Sequence, residues 1–266
     1  MRLTISHDTK YQFAEPPRSA LQQARLTPKS GPGQTVLEWR VSIDGGIHEV
    51  TFTDHHDNVV DLFTLKPGHA EFTVRSEGVV ETAPTSGITG PHGGLPPLWY
   101  FNLSTPLTSP GPHIRRLVAE HGPGDEGEIA RLHALSRGIA KAVRYTPNRT
   151  NTNTTAEDAL ASGHGVCQDH AHVFCAAARM MGFPARYISG YLMMEGQAAQ
   201  AASHAWADVH VEAIGWVGFD ISNAQSPDDR YVRVATGLDY REAAPLSGTR
   251  TGGGEESMMV TIQVQQ

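Results

Sequence analysis

"GHGVCQDHAHVFCAAARMMGFPAR", residues 163–186, opens on a cysteine preceded by two glycines and runs into an alanine-rich stretch. Phe174, Ala177, Ala178 and Met181 repeat at helical spacing, and Gly182 followed by Pro184 is a helix stop. The stretch predicts a helix that begins close to Cys167. A cysteine in that place feels the positive end of the helix dipole and the unpaired N–H groups of the first turn, which favour thiolate over thiol. The same groups could hold a developing oxyanion. Cys175, two turns further in among alanines, reads as a core residue. For Cys167 two readings stand open on these grounds alone, a nucleophile or a small buried side chain.

Outward from this helix the pattern changes in both directions. Ile129, Leu132, Leu135, Ile139 and Val143 predict a helix entered from Asp125, where Asp125 and Glu128 resemble a capping box. "NRTNTNTT" (148–155) is a polar loop. Thr154 with Glu157 starts a short helix that should end near Gly163. After the stop, "ARYISGYLMM", "HAWADVHVE", "GWVGFDI", "RYVRVA" and "SMMVTIQVQ" read as strands of one sheet. The second half is therefore α+β, helices first and then an antiparallel sheet. Residues 1–85 read as short strands such as "TVLEWRVSI" and "AEFTVRSEGVVET", separated by turns, and predict an antiparallel β-sandwich. Residues 86–112 are rich in Gly and Pro and connect the two, with "LWYF" docking onto one of them. The expected organisation is a β-sandwich domain over 1–85, a connecting segment over 86–112 and a core domain over 113–266.

In "SHAWADVHVE" His204, Trp206, Asp208, His210 and Glu212 share one strand face, opposite Ala205, Ala207, Val209 and Val211. In "GWVGFDISN" Trp216, Gly218 and Asp220 share a face. A tight hairpin keeps His204 and Asp220 on one side of the sheet but pairs Asp220 with Asp208. That leaves His204 roughly 13 Å away along the strand, so a longer turn or bulge must shift the register. Asp208, on His204's own strand, is equally distant and cannot slide. Asp220 is the better orienter.

The chain has 266 residues, 39% hydrophobic and 18% charged, enough for one large domain or two modest ones with proper cores. A net charge of −7 offers no basic face for a nucleic acid. The N-terminal stretch has no apolar signal core and no run is long enough to span a membrane. Cys167 and Cys175 would lie about 12 Å apart along a helix, beyond disulfide reach. A reducing, cytoplasmic setting is the expectation. His164, Cys167, His170, His172 and His204 could be offered as zinc ligands, but there is no Cys-x-x-Cys pair and His172 points away from the face shared by Cys167 and His170. His55-His56-Asp57 reads as a polar turn, since no partner ligands stand out. No EF-hand-like loop is present. No metal or cofactor is expected.

"GVCQDHAH", "SHAWADVHV" and "GWVGFD", in this order and spacing, resemble the three motifs of the transglutaminase-like superfamily of papain-type thiol enzymes, and the first domain resembles the β domain that precedes the core in bacterial members. The resemblance implies a papain-like core of helices on an antiparallel sheet. It implies Cys167 as nucleophile, His204 as general base and acid, and Asp220 as the residue that orients His204. Gln168, next to the nucleophile, and Trp206, on the His204 face, are expected to line the site. The implied chemistry is acyl transfer from a peptide or protein amide through a Cys167 thioester. Passing the acyl group to water gives a cysteine peptidase or amidase; passing it to an amine gives a cross-linking acyltransferase. Water needs no dedicated acceptor site, so hydrolysis is favoured. A non-catalytic scaffold of the same fold is the remaining alternative. The chain departs from the family pattern twice: His170 stands where an aromatic residue is common, and "DISN" (220–223) replaces Asp-Pro.

Overall fold

The computed structural model describes residues 1–121, 127–196 and 198–266. The first strands form because their inward positions alternate. In β1 (Arg2–Phe13) Leu3, Ile5, His7, Thr9, Tyr11 and Phe13 are all buried. β2 (Pro17–Thr27), β3 (Gln34–Asp44), β4 (Gly46–Thr53), β5 (Val59–Leu65) and β6 (Glu71–Thr82) follow. The connecting segment contributes β7 (Ile88–Gly90) and a 3₁₀ turn over Leu98–Asn102. Then come α1 (Pro112–Glu120), α2 (Glu128–Ala142), β8 (Arg144–Tyr145), α3 (Ala156–Ser162), β9 (His164–Gly165) and α4 (Cys167–Met180). β10 (Ala185–Leu192), β11 (Ala199–Gln200), β12 (His204–Val211), β13 (Gly215–Phe219), β14 (Tyr231–Gly237), α5 (Tyr240–Ala243), β15 (Leu246–Gly252) and β16 (Glu256–Gln265) complete the order.

Two antiparallel sheets, in the orders β11-β16-β1-β6-β3 and β15-β2-β5-β4, make the expected sandwich. Tyr11, Phe13, Ala24, Leu26, Phe63, Phe72 and Val74 fill the space between them. The third sheet, β14-β10-β12-β13-β7, carries the helices, as the α+β reading requires. α4 is buried from Asp169 to Arg179 because it runs between α1, α2 and α3 on one side and β10 and β12 on the other. Its small residues Ala171, Ala176, Ala177 and Ala178 let those neighbours approach from every direction, so the expected apolar stripe widens to the whole circumference. Truncating Phe174, fully buried at its centre, would cost about 3–5 kcal/mol.

Strand pairing crosses the expected boundary at residue 113 in both directions. The last strands, β15 and β16, do not join the helix-bearing sheet, where β16 was expected. β15 pairs with β2, and β16 pairs with β1 along its length, from Thr4↔Gln265 to Phe13↔Glu256. Alternation marks Ile262 and Val264 as inward residues, but periodicity does not name the partner, and β1 offered an open edge. Conversely, β7 leaves the connecting segment and pairs with β13. "LWYF" docks as expected, with Phe101 buried against Trp216 and Leu238.

The two units share a core: Leu3, Ile5, Val80, Ile262 and Val264 meet Tyr191, Met193, Val232 and Val234. The outer edge of β14 is also covered. Gln34 exchanges two hydrogen bonds with the Arg233 backbone, and Asn58 exchanges two with that of Thr236. Each amide thus satisfies a donor and an acceptor that an edge strand leaves open.

The helix starts differ in detail from expectation. α2 begins at Glu128 with Gly127 as cap, while Asp125 lies outside the described residues. α3 is capped by Thr155 with Asp158, one residue beyond Thr154 and Glu157. Glu157 instead accepts from the N–H groups of Gly111, His113 and Ile114 and so caps α1. Gly163 ends α3 at φ +68°, as expected of a C-terminal glycine.

Candidate active site

Cys167 is the first residue of α4. The turn before it is set by Asp169, whose Oδ2 accepts from Val166 N at 2.8 Å and from Thr150 Oγ1 at 2.7 Å. Gly165 must be glycine here, because a Cβ would lie 2.7 Å from the Asp169 Cβ. Burial pushes the Asp169 carboxyl up despite these two bonds. The N–H groups of Cys167 and Gln168 have no intrahelical acceptor and mark the positive end of the helix. Cys175 is fully buried in the core, where burial pushes its thiol up to about 11.

His204 opens β12 and pairs with Gly190 of β10. Its Nε2 donates to Asp220 Oδ2 at 2.6 Å. Nδ1 makes no hydrogen bond among the described residues, and Cys167 lies near enough for its side chain to raise the His204 pKa. The register doubt is resolved by the turn between β12 and β13. Val211 pairs with Gly215 across a three-residue loop, and Gly215 has φ +91°. Ala207 therefore pairs with Phe219, which brings Asp220 level with Trp206, two residues from His204 instead of four. This diagonal separation is within reach of two longer side chains.

Asp220 is completely buried. Its Oδ2 also accepts from Asn223 Nδ2 and Tyr231 Oη, both at 2.7 Å, and Oδ1 accepts from Asn223 N at 3.2 Å. Burial opposes its charge, yet the bonds from His204, Asn223 and Tyr231 hold the carboxyl below the usual carboxylate range. Burial also opposes charge on His204, but the Asp220 bond and then the Cys167 side chain raise its pKa to about 10.

Trp206 corrects an expectation. It is fully buried and lines no groove; it backs the catalytic candidate instead, with its ring stacked 6.1 Å from His204 and edge-on to Tyr231 at 5.4 Å. Gly190 makes room for it, since a Cβ there would meet the indole at 2.7 Å. Gln168 is half-buried in the first turn, with no side-chain hydrogen bond among the described residues. Asp208 faces the same way as Asp220 but is held by Arg186 at 2.9 Å and Arg233 at 2.6 Å.

The two departures from the family pattern meet each other. His170 Nε2 donates to Val143 O at 2.7 Å, so its Nδ1 accepts from Ser222 Oγ at 2.8 Å. The buried imidazole thus ties α4 to the loop that carries Asp220. Burial lowers its pKa. The other histidines considered as ligands are engaged elsewhere: His172 Nε2 accepts from Tyr240 N at 3.0 Å, and His164 Nδ1 lies 3.1 Å from Thr146 Oγ1.

Tyr145 was not singled out by the sequence. β8 and β9 pair in parallel and set Tyr145 opposite Gly165, beside the turn that leads to Cys167. Burial raises its pKa first, then its nearness to Cys167 and Asp220. Arg179 was also missed. It is buried and donates to the carbonyls of Phe101, Ala185 and Leu238 and to Thr108 Oγ1, fastening the connecting segment to the end of α4.

Helices on an antiparallel sheet, a cysteine at a helix N-terminus and a histidine–aspartate pair on adjacent strands define the papain-like class of fold. Residues 115–221 match the family described as the transglutaminase-like superfamily, and residues 3–81 match the bacterial transglutaminase-like N-terminal region. An uncharacterized protein of Mycobacterium leprae is 31% identical over 99% of this chain and 98% of its own length. One from Mycobacterium tuberculosis is 26% identical over 99% and 92%. The chain belongs to the transglutaminase-like superfamily. Its fold is shared by a crystal structure from Cytophaga hutchinsonii, described there as a candidate cysteine protease, with a TM-score of 0.80 at 20% identity over 100% of this chain and 90% of that one.

Proposed function

We propose that the protein is a thiol enzyme that hydrolyses an amide or peptide bond through a Cys167 thioester. The observation that carries this reading is the His204 Nε2–Asp220 Oδ2 bond of 2.6 Å, which leaves Nδ1 unengaged on a ring whose pKa is raised by Cys167, the first residue of α4. His204 holds the proton given up by Cys167, and Asp220 and Trp206 fix the ring. Sulfur attacks the carbonyl carbon, and the Cys167 N–H donates to the oxygen that becomes negative. His204 passes its Nδ1 proton to the leaving amine as the C–N bond breaks. Water then gives a proton to His204 and attacks the thioester; the C–S bond breaks and the proton returns to sulfur. Atoms and charge balance over the cycle. A peptide or protein amide is the proposed substrate. Two free cysteines fit the proposed cytoplasmic setting.

The test is iodoacetamide alkylation of Cys167 across pH, read by mass spectrometry in wild type and His204→Ala. Fast labelling that persists below a free thiol's pKa of about 8.5 and is lost in the variant supports the pair. Slow labelling indifferent to His204 overturns it. Peptide amides are then supplied with and without a primary amine. A free acid as product supports hydrolysis, whereas an amine adduct reassigns the second step to transfer.

A further inference from the structure

His55 and His56 lie in the turn between β4 and β5, and the fold brings them a third ligand-type group from the far end of the chain. The turn is preorganised. Asp54 Oδ1 accepts from the N–H groups of His56 and Asn58, each at 2.9 Å, and Asp54 Oδ2 accepts from Asn58 Nδ2 at 3.0 Å and Arg25 Nε at 3.2 Å. His56 is buried and His55 exposed, with ring centroids 4.2 Å apart. Glu242 of α5 reaches the same point: its Oε2 lies 2.7 Å from His56 Nε2 and accepts from Leu238 N at 2.7 Å. Tyr100 Oη lies 3.0 Å from His55 Nε2 and 3.5 Å from Glu242 Oε1. One ligand atom from each of His55, His56 and Glu242 can be chosen such that all lie within 4.8 Å of one another, and this is the one such cluster found among the described residues.

Two imidazole nitrogens and a carboxylate oxygen are the donor set of a borderline-soft divalent cation, and a fourth position is open for Tyr100 or water. We infer that His55, His56 and Glu242 form a binding site for a divalent transition metal of the zinc class. The Leu238 N–H orients the carboxylate from behind, as outer-shell donors do in such sites. Glu242 Oε1, whose one hydrogen bond among the described residues is from the Tyr100 hydroxyl at 3.5 Å, is the oxygen less engaged and so the candidate ligand atom. His56 Nδ1 has no hydrogen-bond partner among the described residues, so one outer-shell support is missing and the affinity should fall below that of a fully supported structural zinc site.

The location assigns a structural role. His55 and His56 belong to the sandwich, Tyr100 to the connecting segment and Glu242 to the helix after β14, so a bound cation would fasten all three. Nothing in this inference depends on the proposed thiol chemistry.

The test is a calorimetric titration of the full chain with zinc chloride. It uses the Cys167→Ala background, because the thiol and His204 could themselves capture zinc. One equivalent should bind, and thermal unfolding should shift upward with added zinc. Cobalt(II) in place of zinc should give a tetrahedral spectrum without a thiolate charge-transfer band. His55→Ala, at an exposed position where folding is not threatened, should weaken binding by at least about tenfold, and Glu242→Gln should do the same. No saturable binding would reduce the cluster to a hydrogen-bonded ion pair. Binding that is unchanged in His55→Ala places the ion elsewhere. Either result overturns the inference.

Discussion

Asp208 on β12 and Asp220, one residue beyond the end of β13, face the same way and are both completely excluded from solvent. Each is held below the usual carboxylate range against the cost of burial. They differ in their partners. Asp208 meets two guanidiniums, Arg233 through both oxygens and Arg186 through one. These cations do not give up protons near neutrality, so the cluster is a fixed joint between β10, β12 and β14. Asp220 meets an imidazole, a phenol and an amide, and only the imidazole changes charge within the working range. Similar burial and a similar carboxylate thus serve stability in one place and, under the proposed function, proton management in the other.

The largest expected effects fall on the Asp220 side. Cys167→Ala and His204→Ala should each lower hydrolysis by about ten-thousand-fold or more, with the urea midpoint little changed. A variant that unfolds instead would return Cys167 to a packing role. Asp208→Ala should do the reverse. Two largely buried guanidiniums would lose their counter-charge at a cost of about 3–5 kcal/mol, read from the urea midpoint, with a smaller effect per folded molecule on activity. If Asp208→Ala abolished activity at unchanged stability, the division between the two carboxylates would fail.

The next effect is one of pH. The folded pKa of His204 lies above its ordinary value of 6.5, so the fold favours the protonated ring. The stability this contributes is fully present below about pH 6.5 and is lost as pH rises through the folded value. In Cys167→Ala, where the thiol no longer titrates beside it, NMR should still place the imidazole above 6.5. Adding Asp220→Asn should move it down and narrow the window. Asn223 and Tyr231 can still bond the amide oxygen, so the fold should survive. The smallest effect belongs to Ser222→Ala, which leaves His170 Nδ1 without its donor. A loss of about 1–2 kcal/mol and a modest drop in activity should follow.

The helix at Cys167, the His204 strand and the Asp220 strand were legible because each is a local pattern. The distance between His204 and Asp220 was not, since it rests on a two-residue shift of register. A signal for it was present: three residues after Val211 and then Gly215 suit a three-residue hairpin loop that ends in a left-handed glycine. Trp206 was placed on the correct face, but sequence alternation cannot say that Gly190 would open a slot to bury it. Arg179 and Tyr145 act through carbonyls and a short parallel pairing, and neither leaves a periodic trace. Glu242 joins His56 across the fold, beyond any local motif. β16 was legible as a strand and misassigned as to sheet, and β15 was not foreseen, because pairing across the length of a chain is decided by which edge remains open.

That last pairing has a consequence for synthesis. β1 is flanked by β6 on one side and by β16 on the other, and β16 is made more than two hundred residues after β1. At about 5–20 residues per second, the first strand waits on the order of ten seconds or more with one edge bare. Until then the nascent sheet carries an unpaired edge at β1, where the charged residues Arg2, Asp8 and Lys10 disfavour pairing with another chain.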